Sequence, residues 1–211
     1  MKTLPTFEYE QQVWSTGSTL VAGLDEVGRG AFAGPVVVAA VIFAPHYKFF
    51  NSLLYEINDS KKLSSRKRTI LAKSIKEEAL CFAIQEGSLD IINRVGIGKA
   101  TQQAFLEVTK QLCHTPDFFL IDAFYIDRLD KAQQKPIIHG DSLSISIAAA
   151  SIIAKVYRDE LMDTLHMDYS NYFFNQNKGY GTSLHREKIK EFGLSPLHRT
   201  SFSLEKFLPQ G

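Results

Sequence analysis

Short apolar runs alternate with longer stretches of mixed apolar and polar positions along this chain of 211 residues. Residues 35–43 (PVVVAAVIF) are rich in β-branched residues and almost continuously apolar, which predicts a strand buried on both faces. Similar but shorter runs predict strands at 20–24, 79–85 and 118–121. The first two strands are separated by a short glycine-rich link and could pair antiparallel, and we expect residues 118–121 to join the same sheet after a helix.

Helical spacing of apolar positions fills the intervals between these strands. Ala100, Ala104 and Val108 lie on one face of such a pattern. The helices predicted in this way begin near Arg66, after an N-cap at Ser64 or Ser65, and span 98–112, 143–165 and 186–192. Strands followed by helices and a further strand indicate an α/β fold, in which a mixed central sheet is flanked by helices. The length favours one large domain over two small ones.

Composition narrows the classes of protein only slightly. Hydrophobic residues make up 45% of the chain and charged residues 22%, which is ordinary for a globular protein, and the net charge of +1 excludes a strongly basic nucleic-acid coat but not local basic patches. Cys81 and Cys113 form no short-spaced pair, so neither a zinc site nor a disulfide framework is expected, and a reducing, cytoplasmic setting fits best. Residues 1–14 lack the apolar segment of a signal peptide, and the apolar run at 35–45 is too short to cross a bilayer.

Two adjacent carboxylates, Asp25 and Glu26, directly follow the predicted strand 20–24. Neighbouring side chains on a regular strand face opposite sides, so the pair could share one metal site only where the strand ends or bends, as Val27-Gly28 allows. An exposed acidic turn is the commoner explanation of a lone pair of this kind.

A glycine–arginine–glycine segment, Gly28-Arg29-Gly30, comes next. Glycine lets the backbone approach a ligand closely, and the arginine guanidinium suits a phosphate. Together with the preceding carboxylates, this segment indicates metal-dependent chemistry on a phosphate ester.

Two further carboxylates could complete the site. Asp122 closes the apolar strand 118–121, and ligand sites in open α/β sheets gather at the carboxyl ends of strands, although a loop residue at the sheet edge is about as frequent. Asp141 precedes the predicted long helix, where a plain N-cap is the simpler explanation and does not exclude a ligand role. If the carboxylates meet, their repulsion demands a cation, and oxygen ligands favour Mg²⁺ or Mn²⁺. Two such ions can activate a water and stabilise the leaving oxygen of a phosphodiester.

These motifs resemble bacterial type 2 ribonuclease H (RNase HII) and follow the order found in that family. Any one motif alone would be weak evidence, whereas the series across nearly the whole chain is specific. The matching segments are GLDEVGRGAFAGPVVVAAVIF, DSKKLS at 59–64, LID ending on Asp122, GDSLSISIAAASIIAKVYRD at 140–159, NKGYGT at 177–182 and HRTSF at 198–202.

The resemblance implies an RNase H-like fold, a single catalytic domain over 1–211 with a C-terminal helical portion from about residue 160. It implies a monomeric endonuclease, with no membrane association, that cuts the RNA strand of RNA/DNA hybrids. The same activity would cut 5′ of single ribonucleotides embedded in duplex DNA, leaving 3′-hydroxyl and 5′-phosphate ends. The roles implied are metal binding and catalysis for Asp25, Glu26, Asp122 and Asp141, contact with the ribose 2′-hydroxyl for Gly28, Arg29 and Gly30, phosphate contact for Lys61 or Lys62, and contact with the junction sugar for Tyr180.

The less specific residues have competing interpretations. Basic residues around 61–73 and 178–199 would usually form solvated helix faces, but they lie in matched segments, so we assign both groups to phosphate contact. Tyr180 would normally be a core residue, yet the glycines on both sides favour a ligand-facing loop. His185 and His198 are expected to be structural or to contact phosphate. The resemblance departs at Asn177, where the family commonly has histidine.

Two other functions remain open at this stage. One is a related nuclease of the same fold that acts on DNA junctions, which would cut plain DNA as well as a duplex containing a ribonucleotide. The other is a nucleic-acid binding module that has lost catalysis. The presence of all four carboxylates weighs against the second.

Overall fold

The computed structural model describes residues 4–45, 47 and 52–208. The single-domain prediction over 1–211 also includes residues 1–3, 46, 48–51 and 209–211, which lie outside the described residues. The helices and strands of the described residues are α1 (Glu8–Trp14), β1 (Val21–Val27), β2 (Val36–Ile42), α2 (Ser65–Glu78), β3 (Cys81–Gly87), α3 (Leu89–Val95), α4 (Ile97–Gln111), β4 (Phe118–Asp122), β5 (Gln134–Ile137), α5 (Ile145–Asp168), α6 (Phe174–Asn177) and α7 (Ser183–Phe192).

The strands form one mixed sheet in the order β3-β2-β1-β4-β5. The strands β1, β2 and β3 pair antiparallel, whereas β4 and β5 run parallel to β1. Both pairing predictions are therefore confirmed, and so is the α/β fold with a mixed sheet, flanking helices and a C-terminal helical portion. The central position of β1 matters most, because its carboxyl end lies beside that of β4.

The structure differs from the predictions in one boundary that affects the site and in several elements that were not predicted. The first strand continues to Val27 instead of ending at residue 24, so both members of the acidic pair lie within β1. The strand β5 was not predicted, because a four-residue segment containing a lysine and a proline has no apolar periodicity. The short helices α1 and α3 were also missed, since seven residues give too few turns for a clear pattern.

Two helices sandwich the sheet and fix the core. On one face α5 packs across β1 and β2, and on the other α4 packs on β2 and β3. All ten residues of the first part of α5, 145–154, are buried, which is why this part of the helix carries no charged residue on any face. The predicted N-cap of α2 is confirmed at Ser64, whose hydroxyl accepts the amide of Lys67 at 3.3 Å.

The C-terminal helices close against the loop that connects β1 to β2. Tyr172 and Phe174 are buried there in a small apolar cluster with Ala33 of the loop and Met162 of α5. This packing holds residues 172–202 beside the carboxyl end of β1.

The expectation for the cysteines was wrong. Cys81 at the start of β3 and Cys113, two residues beyond α4, form a disulfide. Their separation of 32 residues carries no sequence signal, but packing of α4 on β3 brings the two ends together. None of the helices in the described part of the chain combines the length and the hydropathy needed to span a membrane.

Candidate active site

Asp25 and Glu26 lie near the carboxyl end of β1, and the charge of Asp122 at the end of β4 acts on both of them. Asp25 is buried on the α5 side, where its carboxylate accepts a hydrogen bond from Ser151 and another from the amide of Glu26 at 2.7 Å. Glu26 is half-buried and its Oε1 accepts from the Arg29 guanidinium at 3.2 Å. The strand β1 runs unbroken through the pair to Val27, and the expected change of direction comes only after it, at Gly28 with φ +89°.

Asp122 and Asp141 are joined by one backbone hydrogen bond. Asp122 ends β4, as predicted, and its Oδ1 accepts the amide of Gly140 at 2.8 Å. Asp141 is buried in the short 3₁₀ turn Gly140–Ser142, just before α5. The cap of α5 is Ser144 and not Asp141, because the Ser144 hydroxyl accepts the amide of Ile147. Asp141 is thus free of the capping role that offered the simpler explanation for it.

Burial and mutual repulsion make this acidic edge unfavourable for charge. Burial raises the pKa of Asp25 well above its ordinary value, and the charges of Glu26 and Asp122 raise it further. Burial also raises the pKa of Glu26, although the Arg29 guanidinium opposes the shift. The pKa of Asp122 is raised by burial and by the charge of Asp141, against the Gly140 amide. These interactions connect neighbouring carboxylates along the edge: Asp25 with Glu26 and Asp122, and Asp122 with Asp141.

The donor set fits a hard divalent cation, although it is not a finished ligand cluster. Among the described residues, no three His, Cys, Asp or Glu side chains are already arranged to hold a metal ion. Two of the carboxylates point instead at protein cations: Glu26 at Arg29, and Asp141 at the Lys61 ammonium, 3.4 Å away. The Oε2 of Glu26 is buried and has no hydrogen-bond partner among the described residues. An unpartnered buried oxygen beside repelling carboxylates is what a Mg²⁺ or Mn²⁺ ion would satisfy.

Lys61 and Lys62 border the acidic edge. Burial works against the charge of Lys61, but Asp141, Asp59 and Asp25 outweigh it and raise its pKa. Its side chain is nonetheless 81% exposed, which leaves the ammonium accessible to a ligand. The Lys62 ammonium lies 3.2 Å from Asp59 and 3.4 Å from the Ser142 hydroxyl.

The glycine–arginine–glycine segment directly follows β1. Gly28 has φ +89°, and a Cβ there would lie 2.2 Å from Nε of the buried Arg158, so only glycine fits. Gly30 has neither constraint: its φ is outside the left-handed region, and a Cβ would meet no atom within 4 Å. Arg29 between them is half exposed and stacks over the Phe124 ring at 5.1 Å. Gly30 therefore leaves open space beside an accessible guanidinium.

The segment around Tyr180 pairs with this loop. Ala31 and Tyr180 form an antiparallel bridge, and the amide of Phe32 donates to the carbonyl of Gly179 at 2.7 Å. The Tyr180 ring is half-buried and lies 5.3 Å from the Arg158 guanidinium carbon. The structure thus brings Tyr180 next to the glycine–arginine–glycine segment. Both stand close to the carboxyl end of β1.

For several residues near the site, the sequence did not predict the role that the structure shows. Ser151 bridges two motifs, since its hydroxyl contacts Asp25 and lies 3.0 Å from the Ser60 hydroxyl. Arg158 is fully buried and donates to the carbonyls of residues 33, 35 and 178. The only sequence signal for Arg158 was its position in the middle of a helix that is otherwise apolar on that side. Arg199, assigned to phosphate contact, is fully buried and donates to backbone carbonyls, so that prediction was wrong.

The two histidines and Asn177 are also interior residues. His185 and His198 are buried, which favours the structural alternative over phosphate contact. The Asn177 amide donates to the carbonyl of Tyr172, and its oxygen accepts the amide of Gly179. Asn177 therefore shapes the approach to Tyr180 from inside the protein.

Comparison with solved structures establishes the class of the fold. The crystal structure of ribonuclease H2 from Pyrococcus horikoshii OT3 has a TM-score of 0.71 at 21% identity, covering 89% of this chain and 95% of that chain. The structure of Bst-RNase HIII in complex with Mn²⁺ gives 0.70 at 22% identity, covering 90% and 69%. The fold is therefore the RNase H-like fold of type 2 and type 3 enzymes.

Sequence comparison identifies the family. The model described as ribonuclease HII matches residues 22–205. A ribonuclease HII from Syntrophus aciditrophicus (strain SB) is 44% identical over 202 residues, covering 96% of this chain and 92% of the relative. Another, from Ruminiclostridium cellulolyticum, is 48% identical over 195 residues, covering 92% and 74%. The chain belongs to the ribonuclease HII family, a family of metal-dependent nucleases, and the resemblance stated from its motifs is confirmed.

Proposed function

We propose that this enzyme hydrolyses the RNA strand of RNA/DNA hybrids and also cuts 5′ of single ribonucleotides embedded in duplex DNA. The products are a 3′-hydroxyl and a 5′-phosphate, and two divalent ions, Mg²⁺ or Mn²⁺, assist the reaction. Family membership implies RNase H activity on RNA/DNA. The recognition of a lone ribonucleotide and the two-ion chemistry go further: they are what the resemblance implies, and the site supports them.

The bridge between Ala31 and Tyr180 is the observation that carries this proposal. It pairs the backbone of Tyr180 with the residue after Gly30, at which a Cβ would meet no atom within 4 Å, and Asp25 and Glu26 lie just before this loop on β1. The 2′-hydroxyl distinguishes RNA from DNA at a given nucleotide, and a reader of that group needs backbone atoms that can approach the sugar closely. Gly30 leaves room for such an approach, and the Tyr180 ring supplies a flat surface for the neighbouring sugar.

The protein groups have separate tasks in this chemistry. When bound, divalent ions would lower the pKa of the attacking water and neutralise charge on the phosphodiester. Asp25, Glu26, Asp122 and Asp141 would hold them. Lys61 presents an exposed ammonium next to Asp141, suited to a phosphate oxygen. Arg29 could exchange its contact with Glu26 for the phosphate, freeing that carboxylate for a metal ion.

The wider setting follows the expectations from the sequence. We propose a single domain that acts as a monomer in the cytoplasm, without membrane association. The Cys81–Cys113 disulfide removes the cysteine argument for a reducing compartment, so the cytoplasmic setting now rests on the resemblance alone.

The proposal is tested with three labelled duplexes: all-DNA, RNA/DNA hybrid, and DNA with one ribonucleotide. In Mg²⁺ or Mn²⁺ we expect cleavage of the last two, with the cut at the lone ribonucleotide mapped to its 5′ side, and none with a chelator. Asp25→Asn and Asp122→Asn should each lower kcat by well over about 100-fold, the upper range for changing a partner of a metal ligand.

Asp168→Asn is the matched control, because this exposed aspartate at the end of α5 loses the same charge away from the site. Equal cutting of plain DNA would favour the junction nuclease instead. Tight binding of the hybrid in Mn²⁺ without turnover would favour the inactive binding module. Robust activity in either carboxylate variant would contradict the assigned chemistry.

A further inference from the structure

His185 of α7 and His198 form a hydrogen-bonded pair in the interior of the C-terminal portion. Their Nε2 atoms are 3.0 Å apart, and both side chains are almost completely buried. His198 lies in the segment 195–199, defined here as the anchor segment. Aromatic rings of Tyr172 and Phe174 pack against the pair.

The protonation of this pair follows from a single backbone amide. The amide and the hydroxyl of Ser195 lie 2.9 and 2.8 Å from Nδ1 of His198. An amide can only donate, so this nitrogen accepts and carries no proton, and the hydroxyl then donates to it as well. A neutral His198 therefore has its proton on Nε2, which donates to Nε2 of His185. The remaining proton of His185 is then on Nδ1, which donates to the Tyr180 carbonyl at 2.9 Å. All four ring nitrogens are satisfied when both rings are neutral.

The anchor segment also contacts the glycine–arginine–glycine segment and the loop that follows it. Arg199 donates from Nη1 to the carbonyl of Arg29 at 2.8 Å and from Nε to that of Gly34 at 2.9 Å. The backbone of His198 forms an antiparallel bridge with Ala33. One five-residue segment is therefore linked to Tyr180 through two imidazoles and to Arg29 through one guanidinium.

We propose that His185, His198 and Arg199 are positioning residues, through which the anchor segment sets the distance between Tyr180 and the glycine–arginine–glycine segment. The inference rests on the proposed function, in which these two elements read the ribonucleotide. Tyr180 and the glycine–arginine–glycine segment are far apart in sequence, so their relative position needs a common support. The chain of hydrogen bonds through the two histidines, here called the relay, provides that support, and each of its donors and acceptors is fixed. The histidines act on the substrate only through Tyr180.

The geometry excludes a direct acid role for either histidine. Each N–H of the neutral pair is engaged with another protein atom, and neither ring reaches the surface. A donor to the leaving oxygen would need an accessible proton. The pair is therefore built to orient a carbonyl.

The first test reads the tautomers directly. Long-range ¹⁵N–¹H correlation spectra of the wild-type protein at neutral pH should show His185 protonated on Nδ1 and His198 on Nε2, both neutral. A cationic ring, or the opposite tautomer at either position, would overturn the relay. This measurement needs no substrate, so it decides the relay even if the proposed cleavage at a lone ribonucleotide proves wrong.

The second test separates positioning from packing. His198→Gln places an amide N–H near the former Nε2 and can still donate to His185, whereas His198→Leu fills a similar volume without a donor. On the duplex with one ribonucleotide, His198→Leu should raise KM by roughly tenfold, the size of one lost hydrogen bond, with kcat changed much less. His198→Gln should recover most of the loss. His114→Leu, at an exposed position, is the matched control.

The third test asks whether the effect passes through Tyr180. In a Tyr180→Ala background, His198→Leu should add little to the rise in KM, since residues that act as one unit are not additive. Equal effects of Gln and Leu at position 198 would reduce the residue to a packing role and overturn the proposal. So would a fall in kcat at constant KM, or full additivity with Tyr180→Ala. If the wild-type enzyme does not cut at the lone ribonucleotide, the proposed function is wrong. The hydrogen-bond chain through the histidines is then tested by the ¹⁵N–¹H spectra alone.

Discussion

Two neighbouring regions bury charged or titratable side chains and treat them in opposite ways. At the acidic edge, Asp25, Glu26 and Asp122 repel one another, and burial raises the pKa of each. Beneath residues 28–35, Arg158 and Arg199 are completely buried and donate to backbone carbonyls. The first region is left electrostatically unsatisfied, whereas the second is held by directed hydrogen bonds, with only Nη2 of Arg199 lacking a partner in this layer among the described residues.

The difference separates binding from support. A site for divalent ions has to keep carboxylates close together before the ions arrive, so it stores repulsion that only a cation relieves. A support for a reading loop needs fixed geometry, and a guanidinium with several carbonyl acceptors provides it. The arginine layer is not free of strain, because burial and the charge of Arg158 lower the pKa of Arg199 to about 9. The two guanidiniums repel each other, but their hydrogen bonds hold the backbone carbonyls of residues 29–35 in place.

The largest expected effect on stability comes from breaking the arginine layer. Arg158→Ala should lower the free energy of unfolding by about 3–5 kcal/mol, because three backbone carbonyls lose their donor and a cavity replaces the side chain. Urea denaturation measures this change. Arg94→Ala, on the exposed face of α3, should stay within about 0.5 kcal/mol of wild type. A loss below about 1 kcal/mol for Arg158→Ala would contradict the supporting role.

Lowering the pH should change the free energy of unfolding with opposite signs through buried His198 and through the carboxylates of the acidic edge. Burial, together with the neighbouring His185, lowers the pKa of His198 from 6.5 to about 4. Between these two values the unfolded chain binds a proton at this histidine and the folded protein does not. The free energy of unfolding therefore decreases as the pH is lowered, by about 3 kcal/mol in all. The carboxylates have raised pKa values and favour the folded state as they take up protons, which works in the other direction.

A difference measurement isolates the histidine. Unfolding free energies of wild type and His198→Gln, compared from pH 7 to pH 4, share the contribution of the carboxylates. The wild type should lose about 3 kcal/mol more than the variant over this range, since glutamine does not titrate. Parallel profiles for the two proteins would show that the pKa of His198 is not lowered in the folded state.

Relieving the acidic edge should give a smaller effect of the opposite sign. Without divalent ions, Asp25→Asn should stabilise the protein by on the order of 1 kcal/mol, because it removes a buried charge while the amide oxygen can still accept from Glu26 and Ser151. Wild type should gain melting temperature on adding Mg²⁺ or Mn²⁺, and the variant should gain less. Thermal melts with and without a chelator measure both. A variant less stable than wild type would refute the stored repulsion.

The sequence predicted the elements with strong periodicity and the site residues that stand in motifs. The run at 35–43 and the pattern at 98–112 became β2 and α4, and the strand 118–121 ends on Asp122 as expected. Local patterns could not show that β1 runs through Asp25 and Glu26, because its extent depends on pairing with β2. The burial of Arg199 and the histidine pair depends on contacts between distant segments, which periodicity does not encode. The ligand roles of the four carboxylates stay a prediction.

The smallest expected change in stability belongs to Gly30, and it sharpens the contrast between support and reading. Gly30→Ala should change the free energy of unfolding by less than about 0.5 kcal/mol, because its φ is ordinary and the new Cβ meets no atom within 4 Å. Gly28→Ala should be clearly destabilised, since its φ is +89° and its Cβ would press on Arg158. If Gly30 serves the substrate, Gly30→Ala should still raise KM for the duplex with one ribonucleotide. A variant with unchanged stability and unchanged KM would remove Gly30 from the reading surface, whereas a rise in KM without loss of stability would show that this glycine is required by the ligand and not by the fold.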